Sequence, residues 1–153
     1  MTTQRRSVLK KLFTSLVGVT GLGLAAKATT NSADEKKVSD IVYDQDVPLF
    51  SQITKLGNLV FIAGQGAHFE GDIKSHTEHV LKSMEEQLVK AGSSMEKVLK
   101  VSVFLNDIKD YQGMNEVFRG RFGKNPPVRT TVAVASGGVP GNSLVEMDCM
   151  AYI

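Results

Sequence analysis

The chain contains no tryptophan, only one cysteine and four prolines, and aromatic residues make up 7% of it. A single thiol cannot close an intrachain disulfide, so covalent stapling is excluded as a source of stability. Cys149 sits in an apolar, strand-like segment and reads as a small core residue. The three histidines lack the companions a metal site needs. His76 and His79 lie three apart on an expected helix and His68 lies upstream, but no further well-spaced donors accompany them. The reading for His76 and His79 is a solvated helix face. Gly64-Gln65-Gly66 lacks the later glycine and lysine of the nucleotide-binding loops, and no serine is set between glycines as in a nucleophile elbow. Phosphate-loop chemistry and serine hydrolase chemistry are thereby excluded, and no cofactor or metal is called for.

Charge is scarce in a different sense. The whole chain carries 18 basic and 16 acidic residues, but Arg5, Arg6, Lys10, Lys11 and Lys27 all fall in residues 1–28, which hold no acidic residue. The remainder has 18 − 5 = 13 basic against 16 acidic residues, a net charge of −3. A nucleic-acid partner read through phosphates would want a basic face, and none is visible. The basic head is followed by the run LFTSLVGVTGLGLAA and the small-x-small sequence Ala26-Lys27-Ala28, the order of an export signal. The run is shorter than the ~20 apolar residues of a membrane span. Gln4-Arg5-Arg6-Ser7-Val8-Leu9-Lys10 resembles a twin-arginine signal, with Gln and Val where that pattern has Ser/Thr and Phe. An ordinary secretion signal and a retained anchor stay open as alternatives. The expectation is an exported, periplasmic protein with no stable membrane span after cleavage.

Residues 29–46 are polar and charged and read as a linker, leaving a domain over 47–153. Within it, Leu59–Ala63 is a continuous apolar run bounded by turn residues, which predicts a buried strand. Ile73, Val80, Met84, Leu88 and Ala91 form a helical stripe, with Asp72 placed to cap its start and Gly92 to end it. Val98–Leu105 alternates as a strand does. Tyr111, Met114, Asn115, Phe118 and Phe122 predict a second helix over 110–122, stopped by the loop with Pro126-Pro127. Strands over 130–135 and 144–152 follow. The expected class is α+β, with two helices on one face of the sheet. Partly apolar residues on the other face point to burial against another subunit.

Two residues stand out for chemistry. Arg129 follows two prolines at the start of a strand, where a stiff backbone would hold its planar fork for a carboxylate. Glu146 lies within an otherwise apolar strand, where a carboxylate is costly unless paired or in use. Composition alone leaves two readings open: a reactive pair, or a strand-end surface arginine and an interfacial salt bridge.

An ordered set of motifs adds to this. Pro127-Val128-Arg129-Thr130-Thr131-Val132, Leu144-Val145-Glu146-Met147-Asp148-Cys149-Met150-Ala151, Ala63-Gly64-Gln65, Lys100–Asp107, Met114–Phe118 and Leu49-Phe50-Ser51-Gln52 together resemble the Rid (reactive intermediate deaminase, YjgF-like) family from about residue 48 to the C-terminus. The resemblance implies a chorismate-mutase-like single domain, a mixed sheet, and a homotrimer with clefts between subunits. It also implies cofactor-independent hydrolysis of enamines and imines such as 2-aminoacrylate. In that role Arg129 would hold the substrate carboxylate and Glu146 would position or activate water. Phe50, Ala63, Gly64 and Asn115 would line or support the cleft. Where the family has Tyr and Ser, this chain has Phe50 and Ala63, and the loop after Gln65 is shorter. Two hydroxyls are absent, so a trimer that binds small carboxylates without turning them over is the alternative implied.

Overall fold

The structure, a computed structural model, describes residues 35–153. The expected export signal, residues 1–28, lies outside the described residues.

The first helix, α1, spans Ile73–Lys90. The Asp72 carboxylate accepts the Ser75 N–H at 2.8 Å, which satisfies one of the donors a helix start leaves free. At the other end Gly92 takes φ +80°, and the N–H groups of Gly92 and Ser93 return to the carbonyls of Val89 and Leu88 at 2.9 and 2.8 Å. His76, Thr77, Val80, Leu81, Met84 and Leu88 are the buried stripe. The placement of His76 corrects the sequence reading. It is 2% exposed, its Nε2 lies 2.9 Å from the Phe69 carbonyl, and its Nδ1 accepts the Leu144 N–H at 3.1 Å. The ring ties two loops to the helix, and of the two histidines on α1 His79 is the one that faces solvent.

The second helix, α2, runs over Tyr111–Phe118 and is shorter than the sequence spacing suggests. Arg119 leaves the helical region at ψ 128° and Gly120 follows at φ +79°, so Phe122 reaches the core from a turn.

Six strands form one sheet: β1 Lys37–Asp44, β2 Val47–Leu56, β3 Leu59–Gln65, β4 Val98–Leu105, β5 Val128–Ala133 and β6 Val145–Tyr152. Their order is β1-β2-β3-β6-β4-β5, with β4 and β5 parallel and every other pair antiparallel. The β1–β2 hairpin is a correction, because residues 37–44 lie within the segment read as linker. Gln45 and Asp46 turn it with φ of 48° and 65°, the left-handed geometry that matches strand twist in tight hairpins.

The core lies between the helices and one face of the sheet. Val60 and Ile62 of β3, Val101, Val103 and Leu105 of β4, and Val145, Met147, Cys149 and Ala151 of β6 meet Val80, Leu81, Met84 and Leu88 of α1 and Met114 of α2. Each Val, Leu, Ile or Met side chain fully withdrawn from water contributes about 1.5–3 kcal/mol. Cys149 belongs here. Burial, and secondarily the charge of Asp148, pushes its thiol up to about 12. Neither helix covers the opposite face, where Phe61, Phe104, Glu146, Asp148 and Met150 are half-buried. Among the described residues no helix is long and apolar enough to cross a membrane.

Candidate active site

Arg129 is the second residue of β5 and pairs with Val101 of β4. Paired residues point to the same side of a sheet, so Arg129 projects toward the helices. Its guanidinium carbon lies 4.6 Å from the Phe118 ring centroid and 5.8 Å from that of Tyr111. These are cation–π distances. Nη2 donates to the Tyr111 hydroxyl at 3.4 Å, and Nη1 lies 3.9 Å from Met114 Sδ. Both contacts are long, and the sulfur is a weak acceptor. Arg121, by contrast, is paired with Glu78. Among the described residues no carboxylate oxygen lies within 4.0 Å of Arg129. A planar cation stands against two aromatic rings with its strongest bonds unmade.

Tyr111, Met114, Asn115 and Phe118 fall on one helical stripe. Asn115 therefore shares the face of α2 that meets Arg129, and it is half-buried there.

Glu146 stands elsewhere. It pairs with Phe104 on β6 and β4, three positions along from Val101 and on the alternate side. Its carboxylate lies over Gly64, where an added Cβ would come within 2.9 Å of the carboxylate carbon. Glycine leaves that space open. Ala63 and Gly64 occupy the irregularity where the β3–β6 register shifts between Ile62 and Gln65. The buried Gln65 holds it. Its Nε2 donates to the carbonyls of Ala63 and Gly64 at 2.9 and 3.2 Å and to Gln52 Oε1 at 3.2 Å, while its Oε1 accepts from the Ser83 hydroxyl at 2.6 Å. Alternation from buried Ile53 puts Phe50 on the same open face as Glu146, 46% exposed.

The sequence-read residues therefore fall into two groups. Gly64 and Glu146 are in contact, with Ala63 beside them and Phe50 on the same face two strands away. Arg129 and Asn115 form the other group with α2. Within one chain Arg129 and Glu146 are on opposite faces of the sheet and do not meet. The aromatic pair Tyr111 and Phe118 was visible in the sequence as a helical stripe, but its place around Arg129 was not. Their i, i+7 spacing opposite a lone arginine was the available signal. Gln65 was legible only as part of a motif.

The described residues thus form a two-helix α+β domain whose Arg129 fork meets no acid among them. The family model described as Endoribonuclease L-PSP matches residues 45–153. A RutC family protein of Pyrococcus abyssi is 36% identical over 124 residues, covering 74% of this chain and 96% of its own length. Reactive Intermediate Deaminase A, chloroplastic, of Arabidopsis thaliana is 33% identical over 111 residues, 68% of this chain and 58% of its own. The crystal structure of RidA from an Antarctic Psychrobacter matches with a TM-score of 0.65 at 32% identity, covering 75% of this chain and 99% of that one. This chain belongs to the Endoribonuclease L-PSP family, the YjgF and RutC group that its motifs resemble.

Proposed function

We propose that this protein hydrolyses reactive enamines and imines of the 2-aminoacrylate type to keto acids and ammonia, without a cofactor, at clefts between the subunits of a homotrimer. The carrying observation is the Arg129 guanidinium, stacked on Phe118 and free of any carboxylate among the described residues. It is suited to a bidentate grip on a substrate carboxylate. The opposite placement of Glu146 supports the assembly, since Arg129 of one copy and Glu146 of a second can face each other where a single chain cannot arrange it. A relative named Reactive Intermediate Deaminase A supports the reaction class.

In this reading the enamine first takes a proton from solvent at carbon and becomes the iminium ion. Arg129 fixes the carboxylate and so orients the imine carbon, a proximity effect. Glu146 of the second copy takes a proton from water as its oxygen adds to that carbon, giving the carbinolamine, and then returns that proton to the amine nitrogen. Collapse of the carbinolamine sends the hydroxyl proton to solvent as the C=O forms, breaks the C–N bond and releases ammonia and the keto acid. Phe50, Ala63, Gly64 and Asn115 line or support the cleft.

The test generates imines in situ from amino acids and follows keto-acid release. Losing a bidentate charge-assisted contact of about 3 kcal/mol predicts about a 100-fold lower kcat/KM for Arg129→Ala. Wild-type release no faster than buffer would overturn the enzymatic reading. Phe50 and Ala63, which bring no hydroxyl to the open face, favour a second reading as a non-catalytic binder of small carboxylates. Thermal stabilisation by carboxylates without turnover would select it. RNA is not a partner in either reading, because residues 29–153 carry 13 basic against 16 acidic residues. Binding to RNA at low salt would count against both. We further propose that residues 1–28 direct export to the periplasm. N-terminal sequencing of the mature protein, with a start after Ala28 expected, tests this.

A further inference from the structure

We infer that Tyr111 is a second substrate-contacting residue, whose hydroxyl joins the Arg129 fork in holding a carboxylate. The inference rests on the proposed role of Arg129 and adds a residue to it. Tyr111 opens α2 and is half-buried, so its ring is anchored while its edge reaches the surface beside Arg129. The Arg129 Nη2–H donates to the Tyr111 oxygen at 3.4 Å. A phenol that accepts in this way keeps its own O–H to give. Among the described residues nothing accepts a hydrogen bond from that hydroxyl. A donor with no acceptor stands next to a cation with no anion.

A carboxylate supplies what both lack. Its two oxygens offer about four lone-pair sites. The guanidinium fork uses two of them, and the Tyr111 O–H reaches a third from the side. Phe118, at 4.6 Å, packs against the guanidinium with a ring that carries no hydroxyl. Of the two rings at the cation, only that of Tyr111 brings a polar group. This matters because Phe50 and Ala63 bring no hydroxyl to the Glu146 half-site, whereas Tyr111 brings one beside the cation.

Tyr111→Phe keeps the ring and removes only the oxygen. Pyruvate, the keto acid released from 2-aminoacrylate, is titrated into the full-length chain by NMR, with methyl pyruvate as the probe that lacks the carboxylate. Expected is about a tenfold weaker pyruvate affinity in Tyr111→Phe, with methyl pyruvate binding and the thermal midpoint unchanged. For turnover, KM should rise by the same factor with kcat held, the signature of a contact made equally in ground and transition states. Wild-type pyruvate affinity in Tyr111→Phe, alongside weakened binding in Arg129→Lys, would overturn the role of Tyr111 and leave that of Arg129 standing. No pyruvate binding by wild type, with no turnover, would overturn the reading of Arg129 and this inference with it. A loss of methyl pyruvate binding equal to that of pyruvate would show that the hydroxyl shapes the site and does not touch the carboxylate.

Discussion

On β6, Val145, Met147, Cys149 and Ala151 are buried beneath the helices, whereas Glu146, Asp148 and Met150 between them are only half-buried on the other face. One strand thus serves two surfaces with different needs. The helix-covered face is completed within the chain, and its apolar groups are withdrawn from water by residues the same chain supplies. The open face holds a carboxylate over a glycine and several large side chains that neither α1 nor α2 covers. Arg129 belongs to the first face and Glu146 to the second. The reactive pair expected from the motifs is therefore split across the sheet, and a second copy is the means by which it could be joined.

Paired substitutions probe that difference most strongly. Met147→Ala removes a fully buried side chain and should cost about 2–5 kcal/mol in denaturant unfolding, at every protein concentration. Met150→Ala, three residues along on the open face, should cost less, and its effect on the melting temperature should depend on protein concentration. Equal, concentration-independent losses would break the distinction between the faces.

Chemistry is expected to divide in the same way. Glu146→Gln keeps shape and removes the acceptor of the water proton, so turnover should fall about 100-fold while pyruvate still binds at Arg129. Gly64→Ala places a methyl group against the Glu146 carboxylate. The displaced side chain should lower turnover about tenfold with little change in melting temperature, because the carboxylate end can swing aside. Unchanged activity in Gly64→Ala would show that the carboxylate position seen here is not the working one.

Two smaller effects concern the closed face and the start of the helix that covers it. The Cys149 thiol, pushed up to about 12 by burial, should resist alkylation in the native protein at neutral pH and react only on unfolding. The Asp72 carboxylate is held below the usual aspartate range, chiefly by the Ser75 backbone N–H. A lowered folded value means its contribution is present at neutral pH and is lost as pH falls through that value. The acid limb of stability should therefore be slightly steeper in wild type than in Asp72→Asn, which keeps a capping side chain but cannot titrate.

Much of the closed face was legible beforehand. The stripe of α1, its Asp72 start and its Gly92 stop, and the alternation of β4 all appear in the structure. These features are local, set by 3.6- and 2-residue periods and by caps. The β1–β2 hairpin was not legible, because its strand is charged and exposed and its turn is Gln-Asp, without the glycine that usually marks such turns. His76 was misread for a related reason. Its burial depends on the Phe69 carbonyl and the Leu144 N–H, and nothing in the helix sequence discloses that they converge on it.

The site divides along the same line. By itself the sequence determined that Arg129 begins a strand after two prolines, that Glu146 interrupts an apolar one, and that Tyr111 and Phe118 share a helix stripe. Which side of the sheet each strand residue faces was decided only by tertiary structure. Alternation fixes that neighbours along a strand point opposite ways, but the register with adjoining strands decides which set meets the helices, and a slip of one residue reverses it. The pairing of Val101 with Arg129 and of Phe104 with Glu146 settles that choice. It sends the arginine to the aromatic face of α2 and the glutamate to the open side.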